Sequence, residues 1–425
     1  MNIVYADADG RLYDSQTLLA AGRTGRAATW IDDVEWIPLP EGAALVSLPH
    51  SRALGFDPIT GALKAMPAVN HAVGALLPQG FTRLYLPAYH KQAGSEPYPL
   101  FGYTAVGFDK GRFYVAATQS DDPTPWNPLQ YTADATAAKV ANMRQKFPQN
   151  RLYEHLSQCA LDYECMTARN TFFARQEGAI PVSSTCNARC IGCISEQPDD
   201  AGFVSPQTRL TVRPSVDEMV ELMVHHLRTT GDDGVISFGQ GCEGDPSLRG
   251  REIAAAIACT REATQTGAIN INTNAGLTSQ IRSIVDAGLD LMRVSIISAM
   301  PDHYHAYYRP RGYTFADVEA SARYASDHGV IVSLNYLNFP GVSDTEEEVE
   351  AMIRFVHRTG VRLVQLRNLN IDPDVYLDQI PERISECGGE PLGILAMIDA
   401  LTSECPGLRI GSYTHPPSWY HEMQR

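Results

Sequence analysis

The chain has 425 residues, of which 44% are hydrophobic and 20% charged, with a formal net charge of −15 at pH 7. This composition excludes intrinsic disorder, collagen and a simple coiled coil, and the length suits two or three globular domains. The acid excess falls on residues 151–425 (net −14, against −1 for residues 1–150), a field that repels phosphate backbones and disfavours nucleic acid as a partner.

No stretch reaches the roughly eighteen uncharged apolar residues of a spanning helix. Leu289–Met300, the best candidate, is broken by Asp290 and Arg293. Met1–Asp7 shows no basic region leading into an apolar run, so no signal peptide or membrane partner is expected, and the expected compartment is the cytoplasm. Nine cysteines, an odd count over a long chain, argue for thiols as core residues, ligands or nucleophiles and against a disulfide framework.

Residues 1–150 read as a β-rich domain. Gly42–Leu48 and Phe81–Leu86 are short apolar runs ended by Pro49 and Pro87, and Tyr103–Phe108 and Arg112–Ala117 flank Asp109-Lys110-Gly111, a hairpin signal. An alanine-rich helix is predicted over Ala133–Lys146, stopped by Pro148. No chemical motif occurs here, so the domain is expected to hold or cover a substrate. A connector over 151–177 carries Leu152, Tyr153, Leu156, Leu161, Tyr163, Phe172 and Phe173, too apolar for a solvated tether.

From Gly178 the texture becomes β-branched runs alternating with amphipathic helices. Strands are predicted at Ala179–Ser183, Val235–Phe238, Ile269–Ile271, Leu291–Ile296, Val330–Leu334 and Leu363–Leu366. Ser215 and Glu218 form a capping box ahead of a face of Val216, Met219, Val220, Met223 and Leu227. Asp344 and Glu347 suggest a second cap, and Gly360 a stop. Six strand–helix units imply an α/β fold with parallel strands and right-handed crossovers. They are too few for a closed eightfold barrel, so a partial (β/α)6 TIM-type barrel is expected over 178–372. Residues 373–425 form a short C-terminal extension with a helix near Leu392–Thr402. In such folds chemistry collects at the carboxyl ends of the strands.

The strongest signal follows the first of those strands: Cys186-Asn187-Ala188-Arg189-Cys190-Ile191-Gly192-Cys193. Three thiolates so spaced can hold three irons of a cubane [4Fe–4S] cluster and leave the fourth open. A zinc site normally closes with a fourth Cys or His at short spacing, and none follows within the next thirty residues.

This C-x3-C-x2-C segment resembles the radical S-adenosylmethionine (radical SAM) superfamily, and the resemblance extends over residues 178–372. It implies an enzyme with a [4Fe–4S] cluster on Cys186, Cys190 and Cys193 and S-adenosylmethionine on the open iron. One electron from the cluster then cleaves the sulfonium to methionine and a 5′-deoxyadenosyl radical, which takes a hydrogen atom from a substrate. The substrate is expected to be a small molecule or a peptide, and the reductant a flavodoxin or ferredoxin. The residue before the third cysteine is usually aromatic in the family and is Gly192 here, so another apolar residue must cover that face.

Looser segments support the resemblance. Ser237-Phe238-Gly239-Gln240-Gly241-Cys242-Glu243-Gly244-Asp245-Pro246 looks like the glycine–glycine–glutamate–proline segment that holds the methionine ammonium. Gly241 and Gly244 allow close backbone approach, and either Glu243 or Asp245 supplies the carboxylate. Asn272 and Asn274 end the third strand and Ser295 lies on the fourth, as candidates for ribose or carboxylate contacts. Arg309 or Arg311 is a candidate partner for the cofactor carboxylate. His303 and His305 are expected on a solvated helix face. Asn335, Gln365, Arg367 and Asn368 end the fifth and sixth strands and could face substrate. Cys242, beside the cofactor loop, is a candidate hydrogen-atom donor, and Cys159, Cys165, Cys242 and Cys387 are four thiols that could meet in space. The rival readings are an iron–sulfur electron-transfer or sensor protein and a zinc module.

Overall fold

The alternating apolar pattern of the first 119 residues closes into a twelve-stranded antiparallel sheet in the computed structural model, which describes residues 1–198, 204–385 and 391–421. The expected hairpin is present: Asp109 pairs with Arg112, and Lys110 and Gly111 between them both have positive φ (46° and 81°), the geometry of a tight two-residue turn. The run Phe81–Leu86 is not one strand. Phe81–Arg83 pairs with the strand Arg112–Gln119, while Leu86–Pro87 pairs with Leu12–Thr24. The break leaves the Arg83 side chain fully buried, where it serves the seam described below.

Three helices follow. Helix α1 spans Ala133–Lys146, as its composition predicts, with Thr132 as N-cap and Arg144 and Lys146 in its last turn. Helices α2 (Arg151–Leu161) and α3 (Met166–Phe173) form the connector, and Leu152, Tyr153, Leu156 and Phe172 sink into the main core.

The second sheet is parallel throughout. Its strands Glu177–Ile180, Val235–Phe238, Ala268–Thr273, Leu291–Ile296, Ile331–Asn338 and Leu363–Asn368 lie in chain order. A seventh strand, Arg409–Gly411, comes from the C-terminal extension and pairs with the sixth. Six units were expected; the seventh was missed because three residues carry too little periodicity to register. The first strand also ends earlier than expected. Beyond Ile180 the amides of Val182 and Ser183 donate to Glu243 instead of to a neighbouring strand.

Between the strands run α4 (Val216–Thr230), α5 (Gly250–Ala263), α6 (Thr278–Asp286), α7 (Pro301–Tyr308), α8 (Phe315–Asp327) and α9 (Glu346–Thr359). The Ser215/Glu218 capping box forms as predicted. The cap of α9 is Thr345, not Asp344, because the Asp344 carboxylate instead accepts the Gly341 N–H at 2.6 Å. Gly360 closes α9 in the left-handed region at φ 68°. In the extension, α10 spans Pro373–Gln379 and a later helix spans Ile394–Glu404.

The two sheets are joined by a polar seam. Arg83 Nη2 donates to the Leu369 carbonyl at 2.8 Å, Lys91 Nζ lies 2.6 Å from the buried Asp372, and the Gly25 N–H donates to the Pro340 carbonyl at 2.8 Å. Further along, Asp121 accepts from the Ser412 N–H at 2.8 Å and from His415 Nε2 at 2.9 Å.

Candidate functional site

The strand ends of the parallel sheet open into a cavity of about 460 Å³. Cys186, Cys190 and Cys193 line one part of it. Their loop is held by backbone pairing with the end of α7: the Arg189 N–H donates to the Tyr308 carbonyl at 2.9 Å and the Ile191 N–H to the Tyr307 carbonyl at 3.0 Å. Burial pushes the Cys186 thiol up to about 11, with the charge of Asp245 adding to it, and pushes Cys190 well above the ordinary thiol range, with Cys193 and Cys186 adding to it. Thiols held protonated in this way release their protons when a metal binds them. Arg209 Nη2 stands 3.5 Å from Cys193 Sγ and supplies positive charge beside the sulfurs. Nothing in its sequence context marked Arg209, which reaches the triplet only through the fold.

Gly241, Cys242, Glu243, Gly244 and Asp245 line the cavity beside the triplet. Gly244 lies so close to the preceding strand extension that a Cβ would stand 1.8 Å from the Thr185 carbonyl oxygen. Only glycine fits there. Both acids are buried, and their oxygens are occupied. Glu243 accepts four backbone N–H groups, from Val182 at 2.6 Å, Ser183 at 2.7 Å, and Gly239 and Gln240 at 2.9 Å. Burial pushes its carboxyl up to about 8, against the pull of those four amides toward the charged form. Asp245 accepts from the Asn274 N–H at 2.7 Å, the Ser247 N–H at 2.9 Å and the Thr273 hydroxyl, while burial raises it too. Both acids therefore brace the loop.

Asn272, Asn274 and Ser295 all line the cavity, together with Asn335 and Arg367. Asn272 Nδ2 donates to the Gly239 carbonyl at 2.7 Å, and Asn274 Nδ2 to Asn187 Oδ1 at 2.7 Å. Arg293, from the fourth strand, joins them, bonding Thr414 at 2.8 Å and Gln365 at 3.1 Å.

Arg309 is not brought to the cavity. It caps α7 in the left-handed region at φ 47° and is exposed, and its guanidinium donates to Gln379 at 2.5 Å. His303 is also placed differently from expectation. It is fully buried, with Nδ1 2.6 Å from Glu348 and Nε2 2.7 Å from the Tyr376 hydroxyl, because α7 packs against α9 and α10. Gly192 has its face covered by Tyr307, whose hydroxyl would lie 2.7 Å from a Cβ there. Cys387 lies outside the described residues.

Residues 180–356 match the family model of the Radical SAM superfamily. The segment is thus a radical SAM domain, and the cofactors of that superfamily are a [4Fe–4S] cluster and S-adenosylmethionine. No curated protein sequence matches the chain. Among solved structures, Streptococcus suis SuiB bound to S-adenosylmethionine is similar at 13% identity and TM-score 0.39, covering 59% of this chain and 56% of that one. A radical SAM methyltransferase from Sphaerobacter thermophilus is similar at 18% identity and TM-score 0.39, covering 56% and 65%. Methylornithine synthase (PylB) is similar at 14% identity and TM-score 0.35, covering 68% and 85%. This chain spans about half the length of SuiB in that comparison.

The residues present fit both cofactors. The triplet places three thiols on one cavity wall, the ligand set for three corners of a cubane. Tyr308, Arg293 and Asn335 each bring a buried polar atom without a partner (the hydroxyl, Nε and Oδ1) to residues of the cavity wall. A polar ligand would satisfy them.

Proposed function

We propose that this protein is a radical SAM enzyme that cleaves S-adenosylmethionine reductively and takes a hydrogen atom from a small-molecule or peptide substrate. The observation that carries this reading is the convergence of the cysteine triplet, the braced glycine-rich loop and the amides of the third strand on one cavity. Together the two cofactors supply one-electron cleavage of a sulfonium and hydrogen-atom abstraction.

The chain's own residues do the rest. Cys186, Cys190 and Cys193 hold the cluster, and Arg209 balances charge at Cys193. Glu243 and Asp245 fix the loop so that the backbone of Gly241 and Gly244 can approach the methionine end of the cofactor. Asn272 and Ser295 stand at strand ends where the ribose would be bonded. Arg293 and Arg367 give the cavity two guanidinium groups with Glu177 as the nearby acid, which favours a substrate or cofactor carboxylate at that wall. The parallel sheet is read as a partial barrel whose open side the residue 1–150 domain covers, since a carbon radical needs a dry enclosure.

Anaerobic incubation of the iron-loaded protein with S-adenosylmethionine and dithionite should yield 5′-deoxyadenosine and methionine. An iron-loaded protein that binds the cofactor and yields none would leave the electron-transfer or sensor reading in its place.

A further inference from the structure

Outside the triplet, one cluster of ligand-type side chains converges among the described residues. The ring nitrogen of His155 and the sulfurs of Cys159 and Cys242 all lie within 4.8 Å of one another. His155 and Cys159 are four residues apart on α2, so they share one helix face. Cys242 comes from the glycine-rich loop, brought to them by the fold alone. Cys159 and Cys242 are 2% and 5% exposed, and both lie on the wall of the cavity that the triplet lines.

The spacing is that of a single ion. A tetrahedral zinc with ordinary bond lengths has sulfur–nitrogen edges of about 3.5 Å. Cys159 Sγ and His155 Nε2 stand 3.6 Å apart. The charge suits a buried place too, since two thiolates and a neutral imidazole cancel a divalent cation. Cys165 lines the same wall without belonging to that group of mutually close ligand atoms.

We propose that His155, Cys159 and Cys242 form a second metal site, separate from the triplet, that binds one thiophilic divalent ion of the zinc class. Such an ion would tie helix α2 of the connector to the loop that carries Glu243 and Asp245, and so set the position of the cavity wall. A metal-bound Cys242 has no S–H hydrogen to give, so this assignment and the hydrogen-donor reading of Cys242 are mutually exclusive. The proposal rests on its own three residues and stands or falls apart from the radical chemistry.

Cobalt(II) is the probe, added anaerobically to the full chain carrying Cys186→Ala, Cys190→Ala and Cys193→Ala, which removes the triplet as a competing site. The expected result is one equivalent bound, with the intense red-region absorption of a tetrahedral ion and thiolate charge-transfer bands in the near ultraviolet. Adding His155→Ala or Cys242→Ser should weaken cobalt binding at least about tenfold and bleach those bands. Cys259→Ser, at an exposed position on α5, should leave them unchanged. Because the triple variant could fail to fold, the wild-type chain with its cluster loaded is assayed in parallel for zinc, with one zinc per chain expected beyond the cluster iron. Absence of zinc from the wild-type chain, or cobalt bands that survive both His155→Ala and Cys242→Ser, would overturn the assignment.

Discussion

The hydroxyl of Tyr307 occupies the space in which a side chain at Gly192 would begin, 2.7 Å from the position of a Cβ. A tyrosine of α7 thus packs directly against the cysteine loop at Gly192. The pairing predicts a specific epistasis. Gly192→Ala alone should destabilise the protein by about 1–3 kcal/mol through overpacking, and should lower the iron content. Tyr307→Phe, which removes the clashing oxygen, should restore much of both in the double variant. Thermal melts and iron assays on the four chains form the cycle, and strictly additive effects would count against the contact.

Glu243 is a brace, and its replacement tests that role. In Glu243→Gln one of the two acceptor oxygens becomes an NH2 group facing two backbone N–H donors. The amides of Val182 and Ser183, or those of Gly239 and Gln240, then lose their acceptor. Each buried donor left unpaired costs roughly 1–3 kcal/mol, so the variant should unfold at clearly lower urea. A carboxylate whose only task was to hold an ammonium ion would leave the unfolding midpoint of the cofactor-free protein unchanged when made neutral.

How far the sequence disclosed this arrangement depends on the range of the interactions. Helix α1, the Ser215/Glu218 cap and the 109–112 turn are specified within a few residues, and they were legible to within a residue or two. The triplet and the glycine-rich loop were legible because their chemistry is written in spacing. Arg209 beside Cys193, His303 between Glu348 and Tyr376, and Cys159 beside Cys242 were not, because each contact joins segments more than a dozen residues apart. Arg309 was misplaced for a local reason, since the left-handed cap of α7 turns it outward. Periodicity fixes which face a residue shares, and it carries no information on what that face meets.

His226 gives the protein a calculable acid sensitivity. Its Nε2 lies 3.2 Å from the Gln176 carbonyl, and its Nδ1 is buried with no partner. Burial lowers its pKa from 6.5 to about 4. A histidine depressed in the folded state is neutral there and protonates more readily when unfolded, so stability is lost as pH falls below 6.5. The loss should reach on the order of 2 kcal/mol by pH 5 and level off below pH 4. Urea unfolding across that range should show the slope, and His226→Gln should flatten it. An unchanged slope in the variant would assign the acid sensitivity elsewhere.

The seam between the two sheets supports the last prediction. Arg83 is wholly buried, and burial alone pulls its guanidinium down to about 9. Its donors reach carbonyls on both sides of the seam, at Phe101 (3.3 Å) in its own domain and at Leu369 (2.8 Å) beyond the sixth parallel strand. Lys91 does the same for Asp372, whose side chain is 0% exposed. A buried charge persists only where its partners are fixed, so residues 1–150 are expected to stay packed against the parallel-sheet segment and not to swing on the connector. Arg83→Met should therefore orphan several buried carbonyls and cost a few kcal/mol, and it should do so in a single cooperative unfolding transition shared by both sheets. A chain beginning at Arg151 should go further: with Asp372 stripped of its lysine and the apolar connector uncovered, it should aggregate or lose 5′-deoxyadenosine formation. Calorimetry of the first variant and size-exclusion chromatography of the second read these outcomes. Two separate melting transitions in Arg83→Met, or a soluble, monomeric and fully active truncated chain, would make the domain an independent appendage.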